Sequence, residues 1–126
     1  MAVTLDACGG KKGSGADMKL IDFLIANEIK TTVFVNIRWI EANKDVFEKI
    51  VSNSIFEIEN HGIEHRPLSV TERNVYTIDG TNSAEKTAYE AEAAGLIIET
   101  YSGRKPIFFR SGTAYYDDIA VKILKS

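Results

Sequence analysis

Short apolar segments alternate with amphipathic ones along this chain, and that alternation is its strongest constraint on fold. Val3-Thr4-Leu5 reads as a strand running into Asp6, followed by a glycine-rich loop from Gly9 to Gly15. Asp17 is placed to cap a helix whose apolar face is Leu20, Ile21, Leu24 and Ile25, a helical spacing. Thr31 to Val35 is β-branched and apolar, hence a buried strand. A second helix starts at Asn43 with Val46, Phe47, Ile50 and Val51 inward, and Ile55 to Ile58 is a third strand. A third helix begins at Ser83, carries Tyr89, Ala93, Leu96 and Ile97 inward, and ends near Ser102-Gly103. Pro106 to Phe109 is a fourth strand, and Asp117 or Asp118 opens a last helix with Ile119, Ala120, Ile123 and Leu124. Four β-α units at this spacing imply an α/β fold with a parallel sheet and helices outside it. The polar stretch from Arg66 to Asn82 is long for a connection and is expected to cover a site.

The 126 residues suffice for a single domain spanning 1–126. A net charge of -3 with scattered basic residues gives no support to nucleic-acid binding. No apolar run approaches a membrane span. The opening Met1-Ala2-Val3-Thr4-Leu5-Asp6 lacks the basic start and apolar run of a signal peptide, which suits a cytosolic chain or a domain whose leader has been removed. The single Cys8 excludes an internal disulfide.

In parallel α/β folds, function gathers at the carboxyl ends of the strands. Here those ends carry Asp6, Asn36, His61 and Arg110: a carboxylate, an amide, an imidazole and a guanidinium on one rim. His61 and His65 are the only histidines, set four residues apart in Glu59-Asn60-His61-Gly62-Ile63-Glu64-His65. Such a pair suits a divalent cation held by one turn of backbone. The same run matches His-x-x-Glu-His, a zinc-peptidase signature, although Gly62 and Pro67 argue against the helix that chemistry uses. Asp6 suits a metal ligand, a general base, or a loop cap. Cys8 reads as a small packed residue, with a thiolate-histidine nucleophile as the alternative. Arg110 suits holding a carboxylate, and the turn amides after it suit an oxyanion. The glycine-rich loop fits neither nucleotide pattern, since Met18 stands where the third dinucleotide-binding glycine belongs.

Taken in order, these motifs resemble the polysaccharide deacetylase family, the chitooligosaccharide-deacetylase-like carbohydrate esterases. Thr4-Leu5-Asp6-Ala7-Cys8-Gly9 resembles the family's Thr-Phe-Asp-Asp-Gly, His61 and His65 its His-Ser/Thr-x-x-His, and Phe109-Arg110-Ser111-Gly112-Thr113 its arginine-led turn. The resemblance implies a distorted (β/α) barrel and metal-dependent removal of acetyl groups from N-acetylated glycans such as peptidoglycan or chitin, with zinc the usual metal. It implies His61 and His65 as metal ligands, Asp6 as base or ligand, Arg110 orienting Asp6, and the backbone N–H near Thr113 steadying the oxyanion. Asn36, Arg38 and Trp39, just past the second strand, are expected to line the sugar subsite, with Trp39 stacking on a sugar or packing. It also implies a secreted or periplasmic location.

Two departures stand out. The family's second aspartate, usually the third ligand, falls at Ala7, with Cys8 a possible substitute. The later motifs, including the histidine that protonates the leaving amine, are missing, so the chain corresponds to about half a barrel lacking its C-terminal part. Such a half is expected to be a truncated copy or to self-associate over its open edge. A non-catalytic glycan- or partner-binding domain is the alternative reading.

Overall fold

The computed structural model describes residues 1–126. Strands β1 (Val3–Ala7), β2 (Thr31–Val35) and β3 (Phe56–Asn60) form one parallel sheet in the order β1-β2-β3. Register aligns Asp6 with Phe34 and Phe34 with Glu59, and it brings Ala7, Val35 and Asn60 side by side at the carboxyl rim. Side chains alternate along a strand. Ala7, Val33, Val35 and Phe56 therefore share the face that enters the core, while Asp6, Phe34 and Glu59 share the other.

The core lies between the sheet and its helices. Helix α1 (Met18–Ala26) is capped by Asp17, whose carboxylate accepts from the Leu20 N–H at 3.0 Å. It contributes Ile21 and Leu24 to the core, and α3 (Lys44–Val51) contributes Phe47 and Ile50. Between β2 and α3 lies a short helix, α2 (Ile37–Ala42), that the sequence analysis did not anticipate. Asn36 caps it, and Ile37, Trp39 and Ile40 are buried. Helix α4 (Ala84–Ser102) starts at Ser83 as expected and stops at Gly103, whose φ of 72° suits a residue without Cβ. Helix α5 (Asp118–Leu124) starts at Asp117. No helix is long and apolar enough to cross a membrane.

Three expectations need correction. Helix α4 turns a different face inward: Thr87, Glu90, Ala91, Ala94 and Ile98 are buried, whereas Tyr89 and Leu96 are 63% and 65% exposed. Small alanines let α4 approach closely, and both buried polar residues have hydrogen-bond partners, which apolar periodicity does not register. The fourth strand is reduced to a single bridge between Asn60 and Phe109. Ahead of it the Glu59 carboxylate accepts from the Ile107 and Phe108 N–H groups at 2.8 and 2.6 Å, so a side chain replaces the ladder. The stretch from Arg66 to Asn82 contains a small hairpin, β4 (Asn74–Val75) with β5 (Ile78–Asp79). Its fully buried Leu68 and Ser69 tie it to residues 115–117. The barrel is thus only partly present.

Candidate active site

Each element of the rim is fixed by local chemistry. Beyond β1 the chain turns through Gly9, at φ 71°; a Cβ there would lie 2.8 Å from the Trp39 backbone nitrogen. The glycine-rich loop is fastened to α2 and its end, with the Trp39 indole N–H donating to Gly15 O at 3.1 Å and Asn43 Nδ2 to Ser14 O at 2.8 Å. Beyond β3, the Asn36 amide donates to the carbonyls of His61 and Gly62 at 3.1 and 2.9 Å. Glu90 of α4 accepts from the Ile63 and Glu64 N–H groups at 3.1 and 2.9 Å, and from Arg66 at 3.4 Å. A Cβ on Gly62 would meet Glu90 Oε1 at 2.5 Å, and one on Gly112 would meet His65 O at 2.1 Å. The histidine loop is clamped from α2, α4 and the turn after Arg110.

Within that clamp the rings of His61 and His65 meet edge to face, 4.7 Å between centroids. His61 Nδ1 lies 2.7 Å from Arg110 O, a contact in which the nitrogen donates and Nε2 keeps its lone pair. Cys8 Sγ lies 3.6 Å from that Nε2. Cys8, His61 and His65 place their ligand atoms within 4.8 Å of one another. Burial lowers the pKa of His61, aided by the Arg110 charge and opposed by the Arg110 carbonyl and Asp6. Burial, then the charges of His61 and Arg38, lowers that of His65. Both shifts favour the neutral ring, the form that binds metal. The Cys8 thiol is raised, by burial first and by Asp6 second. One sulfur and two neutral imidazole nitrogens fit a zinc-class cation with room for a further ligand.

Beside the cluster, Arg110 Nη1 donates to Asp6 Oδ1 at 2.6 Å. The guanidinium lies 3.9 Å over the Phe34 ring, so Phe34 is the platform that aims it. Thr113 takes φ 63°, and its buried hydroxyl has no hydrogen-bond partner.

The expected residues separate into two groups. Asp6, His61 and Arg110 lie at the carboxyl ends of their strands, with His65 and Thr113 in the loops that follow. Asp6, however, is engaged by Arg110 and lies outside the cluster of possible metal donors, whose third member is Cys8. Asn36 and Trp39 are 0% and 4% exposed, with polar atoms bonded inside the fold, so neither presents a face to a sugar. The peptidase geometry does not form. The motif is not helical, His65 has φ 60°, and Glu64 pairs with Arg66 at the surface. Sequence reasoning missed Phe34 and Glu90. Only the register of β1 against β2 pointed to Phe34, and nothing pointed to Glu90.

A family model described as polysaccharide deacetylase matches residues 1–126. No curated protein matches. Among solved structures, a family 4 carbohydrate esterase from Bacillus anthracis is similar at 20% identity and TM-score 0.75, over 98% of this chain and 53% of its own. A CE4 family pseudoenzyme from the same organism is similar at 19% identity and TM-score 0.72, over 98% and 39%. A family 4 acetyl xylan esterase from Clostridium thermocellum, in complex with a cobalt ion, is similar at 19% identity and TM-score 0.71, over 97% and 53%. At these identities the likeness is one of fold, and the chain spans 39–53% of their length. The fold and the match over every residue agree with the order of the three motifs: the chain belongs to the polysaccharide deacetylase family.

Proposed function

We propose that this chain carries the metal-binding half of a hydrolase that removes acetyl groups from N-acetylated glycans. The carrying observation is the posture of His61. Its Nδ1 is held by the Arg110 carbonyl, so Nε2 is turned toward Cys8 beside His65, while the Arg110 side chain holds Asp6. One residue thus positions both the cation site and the carboxylate.

His61 and His65 would hold the cation. A bound divalent cation supplies Lewis acidity, which polarises an acyl oxygen and lowers the pKa of water toward neutrality. Asp6 is the proton acceptor, through Oδ2, the oxygen that Arg110 Nη1 does not engage. Arg110, seated over Phe34, fixes the carboxylate through Oδ1 and leaves Oδ2 for that role. The turn at Thr113 offers a backbone N–H to the acyl oxygen as negative charge develops on it.

The test is acetate release from N-acetylated chitooligosaccharide and from peptidoglycan fragments, with zinc supplied. Release that Asp6→Asn abolishes supports the proposal. Release that survives Asp6→Asn contradicts it.

A second reading, a domain that binds glycan or a partner without hydrolysis, is favoured by Ala7, which stands where the family's second aspartate falls. Alanine offers a cation no donor atom. Glycan binding without acetate release, in zinc-loaded chain, distinguishes it.

A further inference from the structure

We propose that the Cys8 thiolate is the third protein ligand of the cation, completing a Cys-His-His site that selects zinc-class metals. This rests on the metal reading given above and changes its ligand set.

The backbone explains why the ligand moves. Ala7 lies on the helix-facing side of β1 and is only 7% exposed within the core cluster. Its methyl offers a cation no donor atom. Cys8, one residue on, leaves the strand and reaches the rim beside the histidines.

One edge of the donor triangle already has a coordination length, and all three ligand atoms lie within 4.8 Å of one another. Zinc at about 2.3 Å from sulfur and about 2.0–2.1 Å from nitrogen, at tetrahedral angles, sets a sulfur-to-nitrogen edge of about 3.5 Å. Cys8 Sγ and His61 Nε2 are 3.6 Å apart. The Nδ1 contact to Arg110 O, 2.7 Å, is the outer contact that fixes a ligating imidazole. Asp6, tied to Arg110, is free of ligation and keeps its role as proton acceptor.

Ligation breaks the S–H bond, forms a metal–sulfur bond and releases one proton to solvent. A thiolate ligand favours zinc and cobalt(II) over magnesium, calcium and manganese. It also makes the site vulnerable to thiol oxidants.

The experiment uses the 126-residue chain and two readouts. In the unaltered chain, reaction of Cys8 with a disulfide reagent is measured with and without zinc, and cobalt(II) is added to look for a sulfur-to-cobalt charge-transfer band. Zinc affinity is then compared for wild type, Cys8→Ser and His61→Ala. Expected are thiol protection by zinc that a chelator reverses, a charge-transfer band absent from Cys8→Ser, and zinc affinity at least ~100-fold weaker in Cys8→Ser. If zinc binds and His61→Ala loses it, yet the thiol reacts at an unchanged rate and Cys8→Ser keeps its affinity, the ligand assignment is overturned and the metal reading stands. If the unaltered chain binds no zinc, both are overturned. The thiol readout needs no variant, so a folding defect in Cys8→Ser does not obscure it.

Discussion

Glu90 offers the sharpest test of how the histidine loop is held. It is 4% exposed on α4, and two of its contacts, to Ile63 and Glu64 N–H at 3.1 and 2.9 Å, are well formed. Each is worth about 1–1.5 kcal/mol, so Glu90→Ala is expected to cost roughly 2–3 kcal/mol, less whatever water recovers by entering the gap. Glu90→Gln should behave differently. Burial raises the Glu90 pKa above 4.5 and outweighs the backbone N–H groups that lower it, so the fold favours the uncharged carboxyl. A neutral isostere therefore keeps most of the stability, within ~1 kcal/mol of wild type at neutral pH. The sign with pH follows. A raised folded pKa gives stability that is complete below the unfolded value and is lost as pH rises through the folded one. The stability of wild type relative to Glu90→Gln should thus fall from acid toward neutral pH. The assay is urea unfolding at several pH values, with a midpoint shift of roughly 1–2 M for Glu90→Ala. A Glu90→Ala midpoint equal to wild type, or a Glu90→Gln difference moving the opposite way with pH, would refute the clamp.

Other predictions follow from single contacts. Asp117 caps α5 through Ala120 N–H and also receives Val70 N–H and the Ser69 hydroxyl. Asp117→Ala should lower stability by about 1–2 kcal/mol in urea unfolding. Burial would raise the Asp117 pKa, but these bonds outweigh it and hold it below 3.8. Its contribution is therefore present above that value and lost as pH falls through the folded pKa, which acid titration of wild type against the variant would show. Arg110→Lys should leave zinc affinity within ~3-fold, because the main-chain carbonyl holds His61, yet lower acetate release about 100-fold by misplacing Asp6. Gly112→Ala should cost toward the upper end of ~1–3 kcal/mol, since its Cβ would meet His65 O at 2.1 Å; thermal unfolding reports it. Exposed Ile107 and Phe108, 74% and 56%, flank the open side, and the chain is expected to self-associate there. Sedimentation at micromolar concentration should show dimers that Ile107→Glu dissociates, and a compact wild-type monomer would count against this.

Much of the fold could be read from the sequence because its signals are local. The β-branched run Thr31–Val35 and the cap at Asp17 were sufficient for β2 and α1. The rim order of Asp6, His61 and Arg110 followed from strand ends alone. What escaped depends on partners distant in sequence. Glu90 is buried because it meets three N–H groups from another loop, so no apolar period marks it, and the inward face of α4 was misassigned with it. Phe34 sits in an apolar strand, and only the pairing of β1 with β2 shows that it lies beneath Arg110. Cys8 read as packing because its neighbours, His61 and His65, come from another strand end. The fourth strand failed because Glu59 intercepts its N–H groups.

The most direct test of the account is equilibrium dialysis of the purified chain against zinc at neutral pH, with His61→Ala as the comparison and far-UV circular dichroism as the fold control. Convergence of separate loops on a single cation predicts one zinc per chain in wild type and none in a folded His61→Ala. No stoichiometric zinc in wild type, or undiminished zinc in His61→Ala, would contradict it.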